Sequence, residues 1–449
     1  MSTFCIVTLG CKVNQYESAG MGAALKDAGW SAAPEGAPAD LIIINTCTVT
    51  SKASMQARQQ IRQMIRNHPR ARVVVTGCYA EIQPEKILAI AGVDAVIGNG
   101  DKHRIAKAVL DTLQETQDSQ ATLYQGSRRT APLVDFPVTR FDGRTRPFLK
   151  IQDGCDAFCT YCIVPYARGR SRSLPMDAVL DRLRVFKANG YREVVLTGIH
   201  LGAYGGDLYP AISLVELLER TDAPGMPDRI RLSSIEPTEI TDALLNIVAG
   251  SDRFCNHFHV PLQSADDDVL RRMHRPYTGD AYADTVQRIR DRLPGAAIGA
   301  DILVGFPGEG EDAFMVTRTL IDTLPLTYLH VFPFSPRNGT PAARFPDPVP
   351  AATVKSRCAE LRQLGAVKRA EFFRTHLGQS LPVIVESRRD RRTGRLRGLS
   401  DNYIPILFEG PDGVMEQIVS IVVSDVDAGG RVLGHLPAAK DSAVGRGEG

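Results

Sequence analysis

The sequence lacks any long apolar segment. No hydrophobic run approaches the roughly 18 residues that a membrane-spanning helix needs. The N-terminal stretch has neither the positively charged n-region nor the apolar h-region of a signal peptide. It also lacks an excess of charge, with 53 lysines plus arginines against 51 aspartates plus glutamates. A polyanionic partner would therefore be bound by local basic patches. These absences predict a cytoplasmic protein with no membrane partner, and 449 residues are enough for two or three domains.

The nine cysteines are the most informative residues that are present. An odd number of cysteines in a reducing compartment predicts free thiols or metal ligands and not disulfides. Cys155, Cys159 and Cys162 have the spacing C-x3-C-x2-C, which is typical of iron–sulfur ligation. A 4Fe-4S cluster normally takes four cysteines, so three ligands would leave one iron open to bind and activate another molecule.

The alternative for this motif is a structural zinc knuckle completed by a remote His or Cys. No C-x2-C partner pair follows at finger-like distance, which favours the iron–sulfur interpretation. The octad from Cys155 to Cys162, which includes Tyr161, resembles the signature of the radical S-adenosylmethionine (SAM) enzymes. That resemblance implies that the open iron chelates the amino and carboxylate groups of SAM. It also implies that one electron cleaves SAM to a 5'-deoxyadenosyl radical.

Residues 1–125 repeat a pattern of an apolar, β-rich run, a short loop and a helical segment. Strands that alternate with helices predict a doubly wound parallel sheet. The predicted strands are Phe4 to Leu9, Leu41 to Ile44, Arg72 to Val75 and Ala95 to Ile97.

Three cysteines fall at the same point of this pattern. Cys11, Cys47 and Cys78 each lie just past the carboxyl end of a strand, the edge at which open α/β sheets bind ligands. We therefore expect three loops to bring three thiolates together as a second cluster site with an open iron. The alternative is that they are ordinary buried cysteines, which is our interpretation of Cys5 inside its strand.

The segments around these cysteines resemble the N-terminal domain of the methylthiotransferases. The matching stretches are Thr8-Leu-Gly-Cys11-Lys-Val-Asn-Gln-Tyr-Glu-Ser, Asn45-Thr-Cys47-Thr-Val-Thr and Thr76-Gly-Cys78-Tyr-Ala. The resemblance implies that Cys11, Cys47 and Cys78 hold an auxiliary 4Fe-4S cluster bearing the sulfur to be transferred. Two 4Fe-4S clusters and SAM are thus the expected cofactors.

Residues 126–146 are poor in periodic hydrophobic residues and are predicted to be a linker. Arginines 128, 129, 140, 144 and 146 are concentrated there. A phosphate-contacting hinge and a solvated linker are both compatible with this composition.

Strand and helix alternation resumes in residues 147–376, where six β/α units predict an open (β/α)6 radical SAM barrel followed by a docking helix. The strands are predicted at Phe148 to Ile151, Glu193 to Leu196, Arg229 to Leu232, His257 to Val260, Ala297 to Val304 and Thr327 to Phe332. Cys255 and Cys358 are interpreted as structural.

Active-site groups in such folds collect at the carboxyl ends of the strands. By position and resemblance the candidates for SAM binding are Tyr161, Gly198, Ser233, Ser234, Glu236, Gln263 and Gly305. Turn glycines and helix caps are the alternative for these positions. The family usually has Gly after the Gln-Ser pair, where this chain has Ala265, and we expect no positive φ there.

Basic side chains mark two further stretches. Arg168, Arg170 and Arg172 follow the Cys155 loop and are candidates for phosphate contact, with a surface basic run as the alternative. Residues 377–437 show an all-β pattern that resembles the RNA-binding TRAM barrel. Six arginines on a predicted hairpin tip are its candidate RNA contacts, because like charges repel unless a polyanion meets them; they are Arg388, Arg389, Arg391, Arg392, Arg395 and Arg397. Residues 438–449 are predicted to be disordered.

Together these resemblances imply a radical SAM tRNA methylthiotransferase. The motifs look most like the branch that acts on threonylcarbamoyladenosine beside the anticodon. The alternatives are the isopentenyladenosine branch, the branch that modifies a ribosomal-protein aspartate and, in another class, a non-catalytic iron–sulfur RNA-binding protein. The expected partners are a tRNA anticodon stem-loop and an electron donor such as flavodoxin or ferredoxin, with the protein as a monomer.

Overall fold

The computed structural model describes residues 2–114, 122–124, 133–136 and 138–437. Arg128, Arg129 and the predicted disordered tail, residues 438–449, lie outside the described residues.

The N-terminal part is a six-stranded parallel sheet with strand order β2-β1-β3-β4-β5-β6. Its elements are β1 Thr3–Thr8, α1 Lys12–Asp27, β2 Ser31–Ala32, β3 Leu41–Thr46, α2 Ser51–Asn67, β4 Arg72–Gly77, α3 Cys78–Ile82, α4 Pro84–Leu88, β5 Ala95–Ile97, α5 Ile105–Gln114 and β6 Thr122–Tyr124. The strand order reverses between β1 and β3, which makes their carboxyl ends a topological switch point.

Alternation along the strands places apolar side chains on both faces of this sheet. Ile42 and Ile44 pack with Ile61 of α2 on one face, whereas Leu41 and Ile43 pack with α1 and α5 on the other. The sheet is therefore covered by helices on both sides, and the predicted doubly wound fold is confirmed.

The central part contains six parallel strands in the order β7-β10-β11-β12-β13-β14. Two three-stranded sheets, β11-β10-β7 and β12-β13-β14, are joined by parallel bridges between Ile230 and Phe254 and between Ser234 and His259. The elements are β7 Phe148–Lys150, β8 Gln152–Asp153, α6 Val164–Arg168, β9 Arg172–Ser173, α7 Met176–Ala188, β10 Glu193–Thr197, α8 Leu214–Thr221, β11 Arg229–Leu232, α9 Asp242–Gly250, β12 His257–His259, α10 Asp267–Arg272, α11 Gly279–Arg292, β13 Ala297–Val304, α12 Glu311–Thr323, β14 Tyr328–Pro333 and α13 Ala351–Arg374. This arrangement confirms the open (β/α)6 barrel.

The C-terminal part is a closed five-stranded barrel with the order β15-β16-β17-β19-β18. Its strands are β15 Ser380–Val385, β16 Leu396–Ser400, β17 Pro405–Glu409, β18 Ile418–Val426 and β19 Val432–His435. The small β-barrel was expected, but β16 was not predicted as a strand, and its first two residues, Leu396 and Arg397, were placed in the arginine-rich hairpin tip. It forms because Leu396 and Leu399 are buried and pair with β17 and β15, which outweighs the charged residues beside them.

A continuous apolar core joins the N-terminal sheet to the barrel. The face that packs on α1 and α5 is continuous with the barrel interior through Tyr16, Phe141 and Phe148. Helix α1 thus lies between the sheet and β7, and it holds the loop after β1 against the barrel. No helix in the described part of the chain is both long enough and apolar enough to cross a bilayer.

Candidate metal and substrate site

The loops of the first three-cysteine group meet at the switch point of the N-terminal sheet. Cys11 follows β1, Cys47 follows β3, and Cys78 begins α3 directly after β4. Glycines permit this approach. A Cβ on Gly10 would lie 2.9 Å from Cys47 Cβ, and a Cβ on Gly77, which has φ +99°, would lie 2.3 Å from the Thr46 carbonyl oxygen.

The surroundings of these thiols are partly buried. Burial, with a smaller contribution from the charges of Cys78 and Cys11, raises the pKa of Cys47 to about 11. Metal binding there would displace a proton. The side-chain oxygens of Asn45 and Asn99 are buried and have no hydrogen-bond partner in the part of the chain that the structure describes, and Asn99 Nδ2 lies 4.0 Å from Cys78 Sγ. Thiols and unpartnered polar atoms at one sheet edge fit an inorganic cluster.

The second three-cysteine group lies in the loop after β8 at the mouth of the barrel. Cys159 is 8% exposed, and burial raises the pKa of Cys162 to about 12. Arg275 Nη1 donates a hydrogen bond to Cys159 Sγ at 3.4 Å, and His200 Nδ1 lies 3.6 Å from Cys155 Sγ. Such contacts to the sulfurs orient ligands and tune a bound metal.

The spacing of the sulfurs argues against a single zinc ion at either group. Four ligands at a Zn–S distance of about 2.3 Å place sulfurs roughly 4 Å apart. Within the described residues, the only three His, Cys, Asp or Glu ligand atoms that lie within 4.8 Å of one another belong to His259, Asp301 and His330. Neither cysteine group meets this limit, so its three sulfurs are too far apart, as placed, to bind one zinc ion together.

A buried ionic network joins the two cysteine loops across the domain boundary. Arg168, which follows the second loop, contacts Glu17 Oε1 and Asp153 Oδ1, each at 2.9 Å, and Asn14 Oδ1 at 2.5 Å. Lys102 and Lys150 contact the same Glu17 carboxylate at 2.5 and 2.9 Å. All five charged residues are at most 5% exposed.

This network contains three cations and two carboxylates, and the extra positive charge lies near the first cysteine group. Burial raises the pKa of Glu17, but Arg168, Lys102 and Lys150 outweigh that effect and hold it well below its usual value. Burial opposes the charge of Arg168, but Asp153 and, to a smaller extent, Cys78, Glu17 and Cys11 outweigh it and raise the pKa of Arg168 well above its usual value. A surplus cation suits an anionic thiolate-ligated cluster. Arg168 was expected to contact phosphate, and that expectation is wrong because its side chain is buried in this network.

A large cavity, of about 760 Å³, opens where the N-terminal part, the linker, the barrel and the C-terminal module meet. Its wall is aromatic: the rings of His257 and Tyr403 are stacked at 4.3 Å, and those of Tyr328 and Tyr403 at 5.5 Å. Lys12, next to Cys11, lines it from the N-terminal side. This volume and this wall suit a planar base.

A carboxylate with two imidazoles lies in the same cavity. Asp301 Oδ1 is 3.2 Å from His259 Nε2 and 3.2 Å from His330 Nδ1, and His259 Nδ1 is 2.6 Å from the Ser234 hydroxyl. These contacts explain why the three side chains of Asp301, His259 and His330 lie close together, and they require no metal ion. They lower the pKa of Asp301 although burial opposes this, so the carboxylate stays ionised.

The predicted SAM-binding residues differ in where they lie: some line the large cavity, and others lie near the second three-cysteine group or elsewhere. Ser233 and Ser234 line the cavity, and the buried Ser233 hydroxyl has no hydrogen-bond partner in the described structure, as a ligand-binding group would. Glu236 accepts a hydrogen bond from Arg275, the residue that contacts Cys159. Gln263 has φ +66°, a strained conformation often found at functional sites.

For the other predicted SAM-binding residues, packing within the protein also explains why that residue type occupies the position. Gly198 leaves no room for a Cβ, which would lie 2.8 Å from Gln152 Oε1. Gly305, with φ +82°, faces Val354 of α13 beside a separate cavity. Tyr161 packs against the cluster that contains Phe306 and Met273. Ala265 is buried and has no positive φ, as expected.

The arginine-rich hairpin is only partly free to bind a polyanion. Arg389 pairs with Asp412 at 2.7 Å and Arg395 pairs with Glu409 at 3.0 Å. Because these two charges are already paired, fewer than the expected six arginines repel one another in the absence of a polyanion. Arg391 and Arg392 are exposed, and no carboxylate of the described residues lies within 4.0 Å of their guanidinium nitrogens. Arg397 lies in β16 and lines the large cavity, and Arg388 lies beside Gly143 of the linker.

Several residues of the site escaped sequence reasoning. Arg275 and His200 contact the cluster cysteines from positions 116 and 45 residues away, and no local pattern marks them. Asn99 was recognisable, because it follows β5 at the same sheet edge as the cysteines.

Family models match both halves of this site. The Uncharacterized protein family UPF0004 matches residues 3–98, and the Radical SAM superfamily matches residues 149–321. Among solved structures, the radical S-adenosylmethionine methyltransferase TsrM from Kitasatospora setae is similar with a TM-score of 0.55 and 17% identity, covering 76% of this chain and 77% of that one. At this identity the likeness shows the fold alone.

Relatives match over nearly the whole length. The threonylcarbamoyladenosine tRNA methylthiotransferase MtaB of Bacillus subtilis (strain 168) is 38% identical over 427 residues, which cover 94% of each chain. The MtaB protein of Rickettsia prowazekii (strain Madrid E) is 38% identical over 408 residues, which cover 90% of this chain and 91% of the relative. A tRNA-2-methylthio-N(6)-dimethylallyladenosine synthase of Staphylococcus epidermidis is 30% identical, covering 94% of this chain and 83% of the relative. The chain therefore belongs to the radical SAM methylthiotransferase family.

Proposed function

We propose that this protein is a tRNA methylthiotransferase that adds a methylthio group to carbon 2 of N(6)-threonylcarbamoyladenosine, the nucleoside 3' of the anticodon. SAM serves as both methyl donor and radical source. The single observation that supports this most strongly is the buried Glu17–Arg168 contact, which ties one three-cysteine loop to the other. The cavity that Lys12, next to Cys11, helps to line is wide enough for a nucleobase. Two centres held so rigidly suit a reaction that needs a radical and a sulfur at one base.

The chain's own residues have separable roles in this proposal. Cys155, Cys159 and Cys162 hold the cluster that binds SAM, and Cys11, Cys47 and Cys78 hold the auxiliary cluster. When bound, these groups and SAM supply the radical and sulfur-transfer chemistry. Arg275 and His200 orient the first group through their contacts with its sulfurs. Tyr328, Tyr403 and His257 provide an aromatic surface on which the base stacks.

The remaining predicted SAM contacts belong to the same proposal. Ser233, Ser234 and Glu236 supply polar groups, whereas Gly198, Gln263, Gly305 and Tyr161 shape the backbone around the cofactor. The unpartnered Ser233 hydroxyl supports this assignment.

The tRNA is proposed to bind through the C-terminal barrel, residues 377–437, with the anticodon stem-loop reaching the cavity. Arg391 and Arg392 are the hairpin side chains best placed to meet phosphates, because their exposed guanidinium groups form no ion pair among the described residues. Residues 1–125 form the auxiliary-cluster domain, and residues 147–376 form the radical SAM core with its docking helix. The protein is proposed to act in the cytoplasm as a monomer, with electrons from a flavodoxin or ferredoxin.

The branch assignment is supported by the relatives. The MtaB relatives are 34–38% identical, and the dimethylallyladenosine synthases are 30% identical. The test is mass spectrometry of tRNA nucleosides from a strain that lacks this gene. Specific loss of the methylthio mark from threonylcarbamoyladenosine supports the proposal. Loss of the mark from isopentenyladenosine instead, or an unchanged tRNA profile, would overturn it, the latter favouring the ribosomal-protein or the non-catalytic alternative.

A further inference from the structure

Some of the cations that line the large cavity have carboxylate partners and others do not. Two of them are paired: Arg231 with Glu193 at 2.8 Å, and Arg146 with Glu386 at 3.0 Å. Lys12 and Arg144 line the same cavity, and no carboxylate of the described residues lies within 4.0 Å of either. Arg144 instead contacts the neutral side chain of Gln15 and lies over the ring of Phe148.

The carboxylates that line the cavity are occupied elsewhere. Asp301 is held by His259 and His330, Glu386 is held by Arg146, and Asp142 is held by Lys26 at 3.0 Å. The cavity therefore combines an aromatic wall with three cations, Lys12, Arg144 and Arg397, that have no carboxylate within 4.0 Å among the described residues. Such a lining is complementary to a planar ring that bears an anionic substituent.

We propose that Lys12 and Arg144 bind the carboxylate of the threonylcarbamoyl substituent and thereby select this nucleoside over one with an uncharged N6 substituent. The inference rests on the proposed function, because it uses the chemistry of that substrate. A guanidinium and an ammonium both form charge-assisted hydrogen bonds with a carboxylate. An uncharged substituent would place no anion beside either cation and would gain no binding energy from them.

The two cations lie on different parts of the chain. Lys12 follows Cys11 at the start of α1, whereas Arg144 belongs to the linker before β7. Substrate binding would therefore bring linker and cluster loop to the same anion.

The test compares three anticodon stem-loop RNAs that differ only in the target nucleoside. The three nucleosides are adenosine, threonylcarbamoyladenosine, and the derivative of threonylcarbamoyladenosine in which an uncharged carboxamide replaces the carboxylate. The iron-loaded wild-type protein is expected to bind the threonylcarbamoyl RNA at least about tenfold more tightly than the other two. Lys12→Met and Arg144→Gln are each expected to reduce its affinity to that of the amide and to leave the affinity for the amide unchanged. Lys107→Met, an exposed lysine of α5 that does not line the cavity, is the control.

The outcomes separate this inference from the proposed function. If both variants weaken all three RNAs equally, the cations contact backbone phosphate and the inference is wrong. If wild-type protein binds amide and carboxylate equally, or if both variants keep the discrimination, the inference is also wrong, while methylthiolation of threonylcarbamoyladenosine can still hold. If wild-type protein modifies a different nucleoside, the proposed function itself fails. Lys12 adjoins Cys11, so iron content is measured for each variant, and Arg144→Gln decides the test if Lys12→Met loses iron.

Discussion

The Arg168 guanidinium lies 2.9 Å from the Glu17 carboxylate, and this contact joins the segment after Cys162 to the helix that begins just after Cys11. Arg168 is 1% exposed and Glu17 is 2% exposed, so neither has water as an alternative partner. The position of one cluster loop relative to the other therefore depends on a buried charge pair and not on a flexible surface contact.

Removal of Arg168 is expected to destabilise the domain contact strongly. Arg168→Met leaves Glu17 and Asp153 with one cation fewer in a buried site, which costs about 3–5 kcal/mol of unfolding free energy. Denaturant unfolding followed by the fluorescence of Trp30, the only tryptophan, measures the change. The matched control is Lys26→Met, which breaks the exposed pair with Asp142 and is expected to cost at most about 1 kcal/mol. Equal effects of the two substitutions would contradict the proposed importance of the buried pair.

The contribution of this network is expected to depend on pH in a defined direction. Burial opposes ionisation of Asp153, but Arg168 and Lys150 outweigh it and lower the pKa of Asp153 to about 2, and the pKa of Glu17 is also lowered. Carboxyl groups with lowered pKa stabilise the fold above their ordinary values of 3.8 and 4.5, and that stability is lost as the pH falls towards 2. The stability difference between wild type and Arg168→Met, measured on iron-free protein, should be constant above about pH 5 and shrink in acid. A difference that grows on acidification would contradict this sign.

Iron content tests the auxiliary site and the role of Gly77 in it. Wild-type protein reconstituted with iron and sulfide is expected to hold about eight irons per chain. Gly77→Ala should hold about four, because its Cβ would meet the Thr46 backbone and displace Cys78 from Cys47. Gly36→Ala is the matched control, since Gly36 also has a positive φ of +80° but nothing within 4 Å of the added carbon. About four irons in the wild type would remove the second site altogether.

The hairpin arginines are expected to contribute unequally to RNA binding. Arg391→Gln and Arg392→Gln should weaken binding of a tRNA anticodon stem-loop and lower the slope of log affinity against log salt by about 0.7–0.9 each. Arg389→Gln and Arg395→Gln should have smaller effects, because Asp412 and Glu409 already neutralise these side chains. Equal effects at all four positions would show that the internal pairs open on binding, and no effect at any would exclude the hairpin from the interface.

The sequence allowed the sheet edges to be predicted but not the contacts across them. Cys11, Cys47 and Cys78 follow apolar runs whose strand character is clear from Val and Ile content, and parallel strands necessarily end at one edge. The partners of Arg168 and Arg275 could not be derived in this way. They come from elements as many as 154 residues distant in sequence, and only tertiary packing brings them together. In the sequence, Arg168 stands close to Arg170 and Arg172, a pattern compatible with a basic run on the surface. Its side chain is buried instead, because α1 packs against the barrel and covers it.

The most direct measurement of the central claim, that two cysteine groups serve one cavity, is a single reaction analysed for two products. Reduced wild-type enzyme with SAM and a threonylcarbamoyladenosine stem-loop should yield both 5'-deoxyadenosine and the 2-methylthio nucleoside by mass spectrometry. Cys47→Ala should still yield 5'-deoxyadenosine but no methylthio nucleoside, whereas Cys159→Ala should yield neither. Methylthio product from Cys47→Ala, or its absence from fully iron-loaded wild-type protein, would contradict the account.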